Sequence, residues 1–561
     1  MLAVCLAALL ALKMGYTLNY RVGSDEPQHL HVAWGWTQGM LPYRDFFDNH
    51  TPLFHLLYSP LLKWLGERAD ILIPMRLAML PLFFVSLGAV YRIGATLFSR
   101  RAGAWAVIFA GLWPNFLLIT SEFRTDVLWT TLWLVAIAVL AGRPFTVRRA
   151  LVLGAVLGAA FGVSLKTSLM VIALALALST VLIIRLLAHA KVGWRNIALW
   201  IAAGLAGMAV IPAAIAIFFY EKGAWRPFYY CIITHNTLPA LGHWSDKAFH
   251  VTWFPPSIPS PWWFPLALPA MFIAARRFAA CHKDISLGLR RATVFLAAGF
   301  FYFPLRSYWP LITGQDFLPV EPLLCIGLAA AGVEFANRCA ARRQAQAAFC
   351  SALLAFIAVT EIGFAFLHQL PWRNKAVEFT QHLEATLRLT DPCDLVMDGK
   401  GETIFRNRPF YYALEDITRT RIMRGLIPDD IPECLVATRT CVASTSRLPP
   451  RAMKFVEANY VQLNKSVRVA GRYLGEGRPG KRMEFDLVIP ARYAFDFDNK
   501  QIAGTLDGVP YTGSRFLEAG HHEFQIESGR GIGYVVWAQA LERGFSPEDL
   551  KPMAKKKHPA E

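Results

Sequence analysis

Hydrophobic runs separated by short charged loops fill the first two thirds of the chain, and short alternating stretches with turn signals fill the rest. A helix needs roughly 17 to 25 apolar residues to cross about 30 Å of hydrocarbon, and it satisfies its own backbone there. By that measure spans are expected near residues 2–18, 71–98, 104–119, 127–140, 151–165, 169–187, 197–219, 262–275, 292–305, 317–335 and 348–367, about eleven crossings. Residues 52–65 are apolar but short and carry Pro60, which fits an interfacial helix. The run 71–98 is expected to tilt or kink at Pro74 and Pro81.

From about Pro371 the period changes. CDLVMDGKG and CLVATRTCVAS read as strands, and residues 410–423 and 451–459 as helices. Beyond Tyr460 a run of hairpins is expected, with turns at Asp498-Asn499, Asp507-Gly508 and Gly529-Arg530-Gly531. The expected fold is mainly α: a polytopic integral membrane part over 1–370, followed by a soluble α+β domain with a β-rich end over 371–561. Tyr511, Phe516, Tyr534 and Trp537 are residues of the kind that contact sugar or fill a core.

Composition agrees with a membrane protein. At 561 residues, 55% of them hydrophobic, the chain is too apolar for several soluble domains. The net charge of +17 does not point to nucleic acid, because residues 371–561 carry 28 Lys/Arg against 25 Asp/Glu, and the membrane part 29 against 15. That excess sits in short loops: Arg100 and Arg101; Arg143, Arg148 and Arg149; Arg185, Lys191 and Arg195; Arg276, Arg277, Lys283, Arg290 and Arg291; Arg338, Arg342 and Arg343. Asp284 is the one acid among them. Lys and Arg near span ends resist translocation, so these loops are assigned to the cytoplasm. The carboxylate-rich loops and the tail then face outward, in a bacterium into the periplasm.

The first segment lacks a basic start and a small-residue cleavage site, and reads as an uncleaved span in which Lys13 must snorkel, unless the start lies further upstream. Nine cysteines show no metal-type spacing. Among the three in the tail, Cys393, Cys434 and Cys441, a bridge between the last two is open in an oxidising compartment.

The candidate chemistry gathers in the first outward loop, residues 19–70, where SDEPQHLHVAWGWTQGMLPYRDFFDNHTP holds Asp25, Glu26, Asp45, Asp48 and His50. Carboxylates beside a membrane are costly unless they face water or act there. Asp25 and Glu26, directly after the first span, suit proton abstraction from a hydroxyl. Ser24 or Asp25 equally suits an N-cap, with Pro27 in the first turn. YRDFFDNHTPL makes a polar turn in which Tyr43, Asp48 and Asn49 are candidate substrate-loop residues and His50 can meet an anion.

These residues resemble the first outward loop of the GT-C superfamily of lipid-sugar-dependent glycosyltransferases, particularly the bacterial glycosyltransferase 39 group. That group holds protein O-mannosyltransferases, lipid A aminoarabinose transferases and galacturonosyltransferases of lipopolysaccharide. Its pattern of an acidic pair, a Gly-x-Pro-Tyr-x-Asp segment and an Asp-x-x-Pro-Pro-like turn is met by Asp25-Glu26, Leu41 to Asp45 and Asp48 to Pro52, with Thr51 in place of the first Pro. The resemblance covers residues 1 to about 370. It implies a polyprenyl-phosphate sugar donor, an extracytoplasmic glycolipid or protein acceptor, and Asp25 as base. It also implies Asp126, in SEFRTDVLW, as a second catalytic acid, with His50 and Lys166 against the donor phosphate. Gln315-Asp316-Phe317-Leu318-Pro319 departs from the family by being acidic where an aromatic or basic residue is common.

Charge grows on a leaving phosphate as the glycosidic bond breaks, so cations are needed around it. Arg124, Lys166, Arg306 and His50 are all expected on the outward edge, and one base with a departing phosphate suits inverting displacement. The loop 220–262, with His235 and His243, is a candidate lid. No nucleotide or Gly-rich phosphate loop is needed; a divalent cation is left open, and membrane lipids are the remaining partners. The rival readings are a transporter or lipid flippase, whose charges would line a mid-membrane path, and a non-catalytic relative that binds through its tail.

Overall fold

The computed structural model describes residues 2–143, 145–237, 285–308, 312–340, 344–464, 467–498 and 502–547. The expected span 262–275, His243, Arg276, Arg277, Cys281, Lys283, Asp284, Arg342, Arg343, Asn499 and the terminal lysines lie outside the described residues, as do the side chains of Arg306, Cys339 and Cys350. The chain divides into two units. One is Met1–His29, Asn49–Leu62 and Ile71–Ala376, and the other is Leu30–Asp48, Lys63–Asp70 and Val377–Glu561.

The first unit is helical. Among the described residues four helices are long and apolar enough to cross a membrane: Leu2–Asn19, Leu72–Leu97, Thr167–Leu187 and Trp194–Glu221. Thr125–Ala141 and Ala352–His368 are apolar but shorter. The run from Leu72 breaks into Leu72–Leu77 and Leu80–Leu97, with Pro81 in the first turn of the second piece. The short apolar segment after the first loop forms the helix Leu53–Leu65 with Pro60 inside it.

Helices Val147–Val163 and Trp194–Glu221 pack at glycine contacts, as close-packed membrane helices do. A Cβ at Gly154 would lie 1.9 Å from the Gly204 carbonyl oxygen. Lys13 does not snorkel. It is buried, its Nζ donating to Thr120 Oγ1 at 2.8 Å and Ser121 Oγ at 2.9 Å, 4.3 Å over the Phe83 ring. The hydroxyls and the ring face replace the water that snorkelling would have reached.

The second unit carries β1 (Val396–Met397), β2 (Val442–Ser444), β3 (Tyr460–Gln462), β4 (Val467–Gly477), β5 (Arg482–Leu487), β6 (Ala491–Phe497), β7 (Ala503–Leu506), β8 (Val509–Pro510), β9 (Arg515–Leu517), β10 (Gly520–Ser528) and β11 (Gly531–Trp537). One sheet runs β1-β2-β4-β11-β6-β9 with β3 also on β4, and the other β5-β10-β7-β8. From β4 on, the chain repeatedly changes sheet. The two meet through aromatics: the Phe495 ring of β6 stacks on Phe524 of β10 at 4.2 Å.

The expected run of hairpins is therefore corrected. Of the two expected turns that lie wholly among the described residues, Asp507-Gly508 joins paired neighbours, β7 to β8, with both residues at positive φ as a two-residue hairpin turn requires. Gly529-Arg530 instead carries the chain from one sheet to the other, since β10 does not pair with β11, and β6 and β7 likewise lie in different sheets.

Two further expectations shift. CLVA belongs to the helix Ile431–Ala437, started by Pro432, and only Val442–Ser444 is strand. The helix expected over 410–423 begins at Asp416, because Glu415 caps it by accepting from the Ile417 and Thr418 amides at 2.6 and 2.9 Å. Cys393, Cys434 and Cys441 are free thiols, so the bridge left open between the last two is not formed.

Candidate functional site

The site is framed by a buried ion pair. Glu26 and Arg76 have fully enclosed side chains, with Arg76 Nε donating to Glu26 Oε1 at 2.7 Å and Nη2 to Oε2 at 2.5 Å. Glu26 also accepts from the Gly23 amide at 2.8 Å and the Phe123 amide at 2.7 Å. Arg76 Nη1 donates to the Tyr20 carbonyl at 2.8 Å, and Nη2 also to the Arg21 carbonyl at 2.9 Å. A carboxylate with both oxygens engaged this way cannot reach a reactant. Glu26, expected beside Asp25 as a second reacting acid, instead ties the end of the first helix to the Phe123 segment.

Asp25 is the partly exposed neighbour, with a side chain 23% accessible. It accepts from Arg124 Nη2. Arg124 also donates to Glu122 at 2.9 Å and to Asp126 at 3.4 Å. From Asp126 the chain of ion pairs continues to Lys166 Nζ at 3.3 Å, and Lys166 donates in turn to Asp316. Asp316 is fixed in a capping box, its Oδ2 accepting from the Thr313 amide at 2.8 Å and the Thr313 hydroxyl at 3.0 Å. Residues 25, 122–126, 166 and 316 thus form one continuous polar cluster. Asp126 lies in the first turn of Thr125–Ala141, and Lys166 precedes Thr167–Leu187, so both stand at helix starts.

Electrostatics follow from this packing. Burial opposes charge on Arg124, yet Asp25, Glu122 and Asp126 together hold its pKa well above the usual guanidinium value. For Lys166 burial is likewise outweighed by Asp126 and Asp316, and its pKa is raised. Burial pushes the Glu122 carboxyl up to about 7 against Arg124, with the nearby Glu26 adding to the rise.

His50 borders this cluster through His29. Their rings are 4.8 Å apart, and His29 Nδ1 lies 3.0 Å from His55 Nε2. Burial, with His50 and His55 as the next causes, drives the His29 pKa well below its ordinary value, so that ring is neutral.

Asn49 is clasped by Asn236, which donates to the Asn49 carbonyl at 2.9 Å and sits beside the buried His235 at the end of the π-turn Tyr230–Thr234. This fixes one edge of the expected lid; the rest of it lies outside the described residues. Tyr43 and Asp48 are buried and belong to the second unit. Tyr43 has φ +70° and its carbonyl accepts from the Tyr411 hydroxyl, so its ring and backbone shape a turn. Arg306 lies on the helix Ile285–Tyr308. Among the described residues no group of three His, Cys, Asp or Glu side chains is placed to hold a metal ion.

Glu122, Arg76, His29 and His55 do not stand out in the sequence as site residues. Arg76 alone carries a usable signal there, since an arginine inside an expected span demands a partner. Asp316 is conspicuous in sequence only as a departure from the family pattern, and in the structure it is the second anchor of Lys166.

No family model and no curated sequence relative matches the chain. Among solved structures, ArnT from Cupriavidus metallidurans bound to undecaprenyl phosphate aligns at 14% identity over 83% of this chain and 97% of that one, with a TM-score of 0.55. The same protein in its apo state aligns over the same shares at 14% identity and a TM-score of 0.49. The apo oligosaccharyltransferase of Archaeoglobus fulgidus aligns at 11% identity over 92% of this chain and 76% of that one, with a TM-score of 0.49. In fold, over most of its length, the chain is similar to ArnT.

Proposed function

We propose that this chain is a membrane glycosyltransferase that moves a sugar from a polyprenyl-phosphate donor to an extracytoplasmic hydroxyl of a glycolipid or protein, with inversion. The observation that carries the reading is the continuous cluster Asp25, Arg124, Asp126, Lys166 and Asp316, where a part-exposed carboxylate and two cations stand side by side. ArnT, similar in fold, was solved with undecaprenyl phosphate bound, which supports a donor of that class.

In this mechanism the donor phosphate is held by Arg124, Lys166 and His50, with Arg306 a further candidate. Arg124 is shared: as the phosphate takes it, Asp25 is released to accept the proton of the acceptor hydroxyl. The acceptor oxygen forms its bond to the anomeric carbon while the carbon–oxygen bond to the phosphate breaks, and the phosphate leaves with its electron pair onto the cations. Asp126 orients both cations from between them, and Glu26 holds Asp25 in place. Asn49 and His235 shape the loops around the substrates, and Tyr43 and Asp48 shape their turn within the second unit.

About eleven crossings of a bacterial inner membrane, with the site and residues 371–561 in the periplasm, complete the proposal. The test is lipid and glycoprotein mass analysis of cells with and without the gene, beside assay of the purified chain with short-chain polyprenyl-phosphate sugars. A missing hexose, pentose or uronic acid together with donor turnover supports the reading. Unchanged envelopes and no turnover of any donor would refute it.

A further inference from the structure

A cavity of about 570 Å³ opens among helices Leu80–Leu97, Thr125–Ala141 and Val147–Val163, and it belongs to neither the proposed donor site nor its loops. It is lined from Val135 to Val139 on the helix Thr125–Ala141, so at 1.5 Å per residue it lies about 14–20 Å along that helix from Asp126. Its walls are apolar, including Val85, Val139 and Val152, and one end carries Arg92, Arg148 and Arg149. No acid lines it among the described residues.

Arg149 is the telling group. Its Nη1 is buried without a hydrogen-bond partner among the described residues. A buried guanidinium nitrogen left unpaired is costly, so its persistence asks for an acceptor. Gly142 keeps room for it, since a Cβ there would come within 2.6 Å of that nitrogen. Arg92 and Arg148 are exposed beside it and supply further charge.

We propose that this cavity binds one anionic phospholipid, its phosphate against Arg149, Arg92 and Arg148 and an acyl chain along the valine-lined walls. Charge complementarity selects an anionic head over a zwitterionic one. The apolar wall between membrane helices selects a lipid over a free phosphate. Pockets of 300–1,000 Å³ suit a small ligand or one headgroup with part of a chain.

The test is native mass spectrometry of the delipidated full chain in detergent, titrated with phosphatidylglycerol, with phosphatidylcholine of the same chains, and with sn-glycerol 3-phosphate. One phosphatidylglycerol per chain should be retained in preference to phosphatidylcholine. Arg149→Gln should weaken retention about tenfold, the loss of one charge-assisted hydrogen bond. Equal retention of the two lipids, or unchanged binding in Arg149→Gln, overturns the proposal. Competition by glycerol phosphate as strong as by the lipid also overturns it, by making the site one for a free anion. Should Arg149→Gln not be recovered folded, the double variant R92Q/R148Q, on exposed side chains, takes its place: weakened retention supports the proposal and unchanged retention overturns it.

Discussion

Two adjacent acids should answer to mutation in opposite ways. Glu26 and Arg76 are both fully enclosed, and Glu26→Gln removes the charge from one side of that pair while leaving the guanidinium buried. Breaking a buried pair costs about 3–5 kcal/mol, because the remaining charge is uncompensated. In a cooperative melt of all 561 residues, at about 2.1 cal/mol/K each, this lowers the midpoint by roughly 3–4 °C. Asp25 differs: it is part-exposed, and Arg124 keeps Glu122 and Asp126 when Asp25 is neutralised. After discounting for solvent, Asp25→Asn should cost about 1 kcal/mol or less. Its effect should fall on catalysis, lowering kcat about 10²- to 10⁴-fold, as loss of a general base does. With Arg124 no longer shared, the donor should bind Asp25→Asn as tightly as the parent chain or tighter. The assay pairs thermal melting of the purified chain in detergent, at one fixed scan rate, with donor binding by titration and single-turnover transfer. If Glu26→Gln melts with the parent chain, or if Asp25→Asn loses donor affinity in step with kcat, the division of labour between frame and base is wrong.

Lys166→Gln should raise the donor KM about tenfold or more by removing a phosphate contact, and Lys166→Arg should restore part of it, as read from donor-titration kinetics. Glu122, with its pKa raised from 4.5 to about 7, binds its proton more tightly when folded, so its stabilising effect is complete below about 4.5 and fades as pH rises to about 7. Above that pH it adds a negative charge beside Arg124, so donor KM should climb, and Glu122→Gln should flatten the climb in a KM–pH profile. His31, in the second unit, is buried with its Nδ1 at 2.8 Å from the Ile404 carbonyl, and burial followed by Arg408 lowers its pKa from 6.5 to about 4. The stability it contributes is present above 6.5 and is lost as pH falls from 6.5 towards 4, roughly 3 kcal/mol in all. Hydrogen exchange of residues 396–410 at pH 5 and 7 should show this acid loosening in the parent chain and much less in His31→Asn.

What is legible in the sequence is whatever announces itself locally. Asp25 stands out because acids between two apolar runs are rare, and Asp126 and Lys166 because they interrupt such runs. The cluster that joins them is not legible, since Arg124 meets Asp25 across 99 residues and Lys166 meets Asp316 across 150. Glu26 looks like its neighbour because nothing in a dipeptide says which acid turns inward; that is decided by Arg76, 50 residues away. In the second unit, alternation correctly marks strands but not their partners, as β6 and β7 show. Turn residues look alike whether they close a hairpin or cross to another sheet. The count of spans faces a similar limit, because helices such as Thr125–Ala141 are apolar yet short of the length that identifies a crossing.

The second unit joins chain made early to chain made late. The His31 ring is 373 residues from its partner carbonyl at Ile404, and Arg406 bonds Glu67 at 3.0 Å across 339. At a synthesis rate of about 5–20 residues per second, the early strip waits roughly 20–75 s for its partners to leave the ribosome. Through that interval His31 and Trp34, both buried in the finished fold, have no core to enter. Biogenesis therefore includes a chaperoning problem that the finished protein no longer displays, and a ribosome stalled before residue 404 would leave this strip as the nascent chain's exposed weak point.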